Sequence, residues 1–194
     1  MTKEQDPVRR LAAWLEDLEK FDLPDWENLP ELELYMDQVI LLLNRYLSPM
    51  AAGEEKYVTA SIINNYVRMK VMPPPVKKRY ARVHLAYLII ICTLKQSLSI
   101  SCIQRMLPPE YGEEEVRNLY TDFVWKYRAS VACLRKLDIN GDALILGGTE
   151  KLEISGGRSL VTITAILSTL SKALTEFLLR DDRERENANE DDDE

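Results

Sequence analysis

The chain has 194 residues, 46% of them hydrophobic and only seven of them glycine, which is ordinary for a helix-rich globular protein. A single histidine and three cysteines without a CxxC pair argue against a metal site or a disulfide framework and suit a reducing cytosol. The charged start MTKEQDPVRR predicts no signal peptide, and the longest apolar run, residues 85–94, is about half a membrane span. We therefore expect a cytoplasmic protein.

Apolar spacing predicts two N-terminal helices. The first covers residues 7–20 and is followed by a proline-containing loop. The second runs from about Glu31 to Leu47, where Pro49 and Gly53 break the pattern.

A short third helix begins after Thr59, a residue type that caps helices, and ends before Pro73. At 100° per residue its apolar side chains fall on one broad side. The opposite side carries Ser61, Asn64, Asn65 and Arg68. Such amide, hydroxyl and guanidinium groups can bond to base edges and phosphates, although a solvent-facing role is the more usual one for a surface asparagine.

The proline run at 73–75 stops the helix and favours an extended segment. Residues 76–80 after it fit one side of a small β-ribbon. Its basic side chains would lie near the backbone of a duplex: Lys77, Lys78 and Arg79. A fourth helix is predicted at about 82–96 and a short fifth at about 99–106.

The C-terminal part has a different character. Residues 113–137 form a long amphipathic pattern, and 138–157 predict a loop or weak hairpin. Residues 159–179 predict another apolar helix. The β-branched residues at its start leave a strand as the alternative there. The polar tail from Arg180 onward is predicted to be disordered.

Charge is distributed very unevenly. From Lys56 to Pro109 there are nine Lys and Arg residues and no Asp or Glu, which leaves −16 for the rest of a chain of net charge −7. A charge run usually marks only a solvated face. The complete exclusion of acids over this length favours a surface that faces a polyanion.

The stretch TASIINNYVRMKVMPPPVKKRYARVHLAYLIIICTLKQSLSISCIQRML (59–107), with the lead-in LELYMDQVILLL (32–43), resembles the family called domain of unknown function 1836. That domain is in turn similar to the DNA-binding domain of MerR-type regulators. The match covers roughly residues 31–110, and INNY followed by PPP and KK is a specific pattern.

The resemblance implies a bacterial transcription regulator, expected to act as a dimer and a repressor on an inverted repeat. It places the polar stripe on a recognition helix and the basic residues on a wing, with Tyr80 packing back on the domain or touching a phosphate. The MerR pattern is not complete, because the wing turn lacks glycine, no long coiled-coil helix follows the domain and no cysteine cluster exists for a metal effector.

We therefore predict a mainly α protein, a winged helix-turn-helix (MerR-like) with additional N- and C-terminal helices. Its parts would be 1–30, a helix and linker; 31–110, the DNA-binding domain; 111–180, a dimerisation or effector region; and 181–194, the tail. The predicted DNA contacts are Ser61, Asn64, Asn65, Arg68, Lys70, Lys77, Lys78, Arg79, Tyr80 and Arg82.

No nucleophile with a base, phosphate-binding glycine loop or metal spacing is present, so we expect no enzyme activity, cofactor or metal. The expected partners are double-stranded DNA, a second copy of the chain and an unidentified small-molecule effector, with no membrane. The alternative is a protein-interaction adaptor whose helix-turn-helix no longer binds DNA. The apolar C-terminal helices and the acidic tail favour that alternative.

Overall fold

The protein is mainly helical, as predicted. The computed structural model describes residues 7–20, 22–47, 57–107, 112–140, 143–146 and 157–191. The elements are α1 (Pro7–Lys20), a 3-10 turn (Trp26–Asn28), α2 (Met36–Tyr46), α3 (Ala60–Arg68), α4 (Arg82–Leu94), α5 (Ile100–Met106), α6 (Glu113–Leu134), β1 (Leu137–Asn140), β2 (Ala143–Leu146) and α7 (Gly157–Asp191).

Helix α4 is the centre of the core. Every residue from His84 to Leu94 is buried, because the apolar run leaves no polar face for solvent. The helix packs against α2, α6 and α7, and α1 packs against α6 and α7. One hydrophobic cluster extends from Leu11 to Leu170 and so includes the N- and C-terminal helices together with the central ones.

The loop before α2 is fixed to α6. The Arg128 guanidinium donates to both carboxylate oxygens of Asp22, at 2.7 and 2.9 Å, and to Asp25 at 2.8 Å. The Tyr120 hydroxyl donates to the carbonyl of Pro24 at 2.7 Å. The segment predicted as a linker is therefore a packed part of the fold.

Two boundaries differ from the prediction. Helix α2 begins at Met36 instead of about Glu31, because Leu34 is in an isolated antiparallel bridge with Tyr80. Helix α6 ends at Leu134, whereas the amphipathic pattern predicts that it continues to residue 137.

The predicted weak hairpin is present. Strands β1 and β2 pair antiparallel, from Leu137 opposite Leu146 to Asn140 opposite Ala143. The rest of the predicted loop, residues 147–156, lies outside the described residues. The start of α7 is helical, as predicted, and not the alternative strand.

Helix α7 continues to Asp191 and so includes most of the tail for which disorder is predicted. Residues 180–191 are rich in Arg and Glu, which have high helix propensity. Because they continue a helix that is already formed, they carry no nucleation cost. Residues 192–194 lie outside the described part of the chain.

Within α7, the segment Ser159–Phe177 has a mean hydropathy of 1.3 and is, by length and composition alone, able to cross a membrane. One face of the segment belongs to the core, where Ile166 and Leu170 are fully buried. Its Thr169 hydroxyl lies 2.8 Å from that of Ser97. Packing against α4 and α6 therefore explains part of its apolar character.

Candidate nucleic-acid interface

Helix α3 begins where the sequence predicted. Thr59 is the N-cap, and its Oγ1 accepts a hydrogen bond from the backbone N–H of Ile62 at 3.4 Å. At the other end, the N–H of Lys70 donates to the carbonyl of Val67 and that of Val71 to the carbonyl of Tyr66. These two bonds form a Schellman motif in which Lys70 occupies the left-handed position, with φ 55°.

Two contacts that the sequence analysis missed hold the start of α3. The Asn44 side chain on α2 bonds in both directions to the backbone of Val58. The Tyr57 hydroxyl donates to the carbonyl of Cys92 on α4 at 2.8 Å. The sequence does contain a signal for the Asn44 contact, because Asn44 is an amide on the apolar face of α2, in line with Ile40 and Leu47.

The inner side of α3 packs on the core through Ile63 and Tyr66, both buried. Tyr66 lies beside Cys92 of α4, and burial raises the pKa of the Cys92 thiol to about 12. Cys92 is thus a residue of the core. Its thiol is held protonated at neutral pH.

The outer side of α3 carries the predicted polar stripe. Ser61, Asn64 and Arg68 are exposed, and Asn65 is partly buried. Arg68 donates to Oδ1 of Asn65 at 2.7 Å, so these two side chains orient each other. Met69 is apolar but 43% exposed, because it follows the last turn of the helix. The four polar side chains line a shallow depression together with Ile62.

The predicted β-ribbon is reduced to one tight turn. Val76 and Arg79 form an antiparallel bridge, with N–H to O distances of 2.9 and 3.2 Å. Between them Lys77 and Lys78 have φ values of 49° and 64°. Positive φ at both central residues is the mark of a type I′ hairpin turn, which usually contains asparagine and glycine. Here two lysines take these positions and are exposed at the tip.

The base of this turn is held by one imidazole. His84 Nδ1 accepts from the N–H of Ala81 at 3.0 Å, so Nε2 is the protonated nitrogen and donates to the carbonyl of Pro74 at 3.1 Å. Next to it, Tyr80 and Leu34 exchange two backbone hydrogen bonds of 2.9 Å. His84 therefore has a structural role at the base of the turn.

Two of the predicted DNA contacts, Tyr80 and Arg82, are packed against the rest of the fold. Tyr80 is 2% exposed and packs back on the domain, which is one of the two roles predicted for it. Arg82 has a side chain only 15% exposed, lies 3.3 Å from Glu31, and places its guanidinium over the ring of Trp26 at 5.7 Å. Arg82 is therefore a packing residue of the α4 start.

The other basic candidates are exposed. Arg79 lies over the ring of Tyr35, 5.3 Å from its centroid, and Lys70 follows α3 directly. Lys70 and Pro74 line one groove, so the end of α3 and the start of the turn segment are neighbours. Lys56, at the edge of the acid-free window, lies outside the described residues.

Three lysines in this region have left-handed backbone conformations: Lys70, Lys77 and Lys78. Each non-glycine residue in this conformation lowers the stability of the fold by roughly 1 kcal/mol. Glycine or asparagine would remove this cost and also remove the charge. The backbone strain therefore coincides with the display of positive charge.

Comparison with known proteins gives one result. No curated protein and no solved structure matches the chain. A family model described as "Domain of unknown function (DUF1836)" matches residues 24–123, just over half of the chain. The matched range extends from the loop before the 3-10 turn into α6 and includes α3 and the Lys77–Lys78 turn. The chain therefore belongs to the DUF1836 family.

Proposed function

We propose that this protein is a sequence-specific DNA-binding transcription regulator that acts as a dimer. The observation that carries the proposal is the exposed polar face of α3 beside a turn that displays Lys77 and Lys78, both within a segment free of acids. An acidic protein with one acid-free segment can present that segment to a polyanion, while its acidic remainder limits nonspecific binding elsewhere.

Each part of the surface suits a different contact. Asn64 and Arg68 carry amide and guanidinium groups that can make paired bonds to base edges in the major groove. Asn65 would contribute by orienting Arg68, to which it is bonded. Lys77 and Lys78 at the tip of the turn suit contact with phosphates, which fixes orientation without specifying sequence.

The architecture that we propose is winged helix-turn-helix-like, with two departures. Residues 47–59 join α2 to α3, a longer connection than the roughly three- to four-residue turn of the common motif. The wing is one bridged turn instead of a pair of strands. Both departures are compatible with the function because Asn44 fixes α3 and His84 fixes the turn.

For the dimer, exposed apolar side chains on the C-terminal helices are the candidates. Trp125 on α6 and Leu160 and Val161 on α7 are each nearly half exposed. Large exposed apolar side chains often belong to interaction sites. We propose that α6 and α7 supply the contact between two copies.

The first test is selection of bound sequences from a random duplex pool at near-physiological salt. We expect enrichment of an inverted repeat whose half-site spacing reports the distance between the two copies of α3. Recovery of no sequence above background would overturn the proposal and make the acid-free surface a site for a protein partner.

A second test separates the two kinds of contact. Asn64→Ala and Arg68→Ala should lose about 1–3 kcal/mol of preference for the selected site. Lys77→Ala and Lys78→Ala should weaken binding to all sequences and lower the salt dependence. Lys95→Ala is the matched control, because Lys95 is exposed and lies in the acid-free window but follows α4. Equal losses on specific and random DNA from all four variants would refute this division.

A further inference from the structure

A cavity of about 210 Å³ lies between α4, α5, α6 and α7. Its wall is apolar on the α4 side and contains polar groups from α6 and α7. The residues that matter are Ile90, Leu94, Phe123, Asp122, Lys126 and Ser159. The volume is below the roughly 300–1,000 Å³ of sites for drug-sized ligands, so it suits a much smaller molecule.

Lys126 is the first unusual group in this wall. It is 3% exposed and forms an ion pair with Asp122 one helical turn away, which is itself half exposed. A buried ammonium is stable only when it is paired. It has three N–H donors, and the described contacts use one of them for Asp122. The pair therefore offers a positive and a negative pole side by side.

Ser159 is the second unusual group. It is 4% exposed, and among the described residues its Oγ has no hydrogen-bond partner although that atom is buried. An unpaired buried hydroxyl destabilises the fold unless something bonds to it. Ser159 also lies in the first turn of α7, where the helix dipole favours a negatively charged group.

We propose that this cavity binds a free α-amino acid with a small apolar side chain. The carboxylate of the ligand would bond to Lys126 and Ser159, and its ammonium group would face Asp122. The side chain would lie against the apolar wall formed by Ile90 and Leu94.

The charges favour a zwitterion over a simple acid. Asp122 already neutralises Lys126, so a ligand with only a carboxylate would bring two anions to one ammonium group. A ligand with only an amine would leave the Ser159 hydroxyl and the remaining Lys126 donors without an acceptor. A zwitterion keeps the site neutral and satisfies both poles.

This inference does not depend on DNA binding and can be tested on the protein alone. Isothermal titration and thermal unfolding would compare leucine and valine with 4-methylpentanoate, which lacks the amine, and 3-methylbutylamine, which lacks the carboxylate. We expect leucine or valine to bind and to raise the unfolding temperature more than either analogue does. Absence of binding by both amino acids, or equal binding by 4-methylpentanoate, would overturn the proposal.

Two variants locate the site. Ser159→Ala should raise the unfolding temperature without ligand, because it removes an unpaired hydroxyl, and should weaken amino-acid binding about tenfold, or ~1.4 kcal/mol. Ser168→Ala on the exposed side of the same helix is the control: it makes the same gain in helix propensity, so it should raise the unfolding temperature less than Ser159→Ala and leave binding unchanged. Lys126→Met should abolish binding, and where it fails to fold, Ser159→Ala decides alone. Unchanged binding in Ser159→Ala would place the ligand elsewhere and refute the assignment.

Discussion

The amide of Asn44 is bonded in both directions to the backbone of Val58, with Nδ2 donating to the carbonyl and Oδ1 accepting from the N–H, each at 2.9 Å. Val58 directly precedes Thr59, the cap of α3. One side chain of α2 therefore fixes the position from which the candidate recognition helix begins.

We expect Asn44→Ala to lower the free energy of unfolding by about 1–3 kcal/mol, because it leaves two buried backbone groups of Val58 unpaired. Chemical denaturation measures this loss. Gln38→Ala is the control, since Gln38 is also an amide on α2 but is exposed and accepts one bond, from the N–H of Tyr35. A loss no larger than that of the control would contradict the anchoring role.

Replacing Lys77 and Lys78 by residues that favour positive φ should raise stability but weaken DNA binding. Lys77→Asn combined with Lys78→Gly should raise the free energy of unfolding by about 1 kcal/mol, because these residues adopt positive φ more easily. The same variant should weaken DNA binding, since it removes two phosphate contacts. The measurements are urea denaturation and a salt-dependent binding isotherm.

The control for this pair is Lys77→Gln with Lys78→Gln, which removes the charges but keeps the unfavourable φ values. It should weaken DNA binding to the same extent without the gain in stability. A loss of stability in the Asn–Gly variant would mean that the turn is not of type I′ in solution.

Substitution of Arg82 should affect stability and not the salt dependence of DNA binding, and substitution of Lys78 should do the reverse. Arg82→Gln loses the ion pair with Glu31 and the contact with the Trp26 ring, which together contribute roughly 1 kcal/mol of stability. It should leave the salt dependence of DNA binding unchanged. Lys78→Gln should lower the salt slope by about one and leave stability nearly unchanged. A lower slope in Arg82→Gln would restore Arg82 as a DNA contact.

Cys92 and Cys102 should differ in reactivity. Hydrogen bonds from Ser99 and then Arg105 lower the pKa of Cys102, so its thiolate forms at a lower pH than that of an ordinary thiol. Burial raises the pKa of Cys92 to about 12. With an aromatic disulfide reagent at pH 7, Cys102 should react quickly, whereas Cys92 should react only after unfolding.

The check on this prediction is the pH profile of Cys102 labelling, followed by mass spectrometry. Its midpoint should move to higher pH in Arg105→Gln, because one of the stabilising donors is lost. Fast labelling of Cys92 in the native protein would show that α4 is not buried as described.

The parts of the fold that the sequence predicted depend on local patterns. The polar and apolar sides of α3 follow from the 3.6-residue period, and its start follows from the capping preference of Thr59. The burial of α4 follows from its uninterrupted apolar run. In each case the deciding residues are within one or two helical turns of each other.

What could not be predicted depends on distant residues or on unusual ones. The bridge between Leu34 and Tyr80 joins positions 46 residues apart, and it both delays the start of α2 and buries a predicted DNA contact. The ion pair of Arg82 with Glu31 has the same long-range origin. The lysine turn carries no asparagine or glycine, so no turn signal pointed to its type.

His84 closes the segment between Pro74 and Ala81 at its base, while the two lysines at its tip bond to nothing that holds the base in place. The tip can therefore be lengthened without disturbing the hydrogen bonds of His84 at the base of the turn. A foreign peptide, an epitope tag or a longer wing could therefore be grafted at residues 77–78 at a small cost to folding.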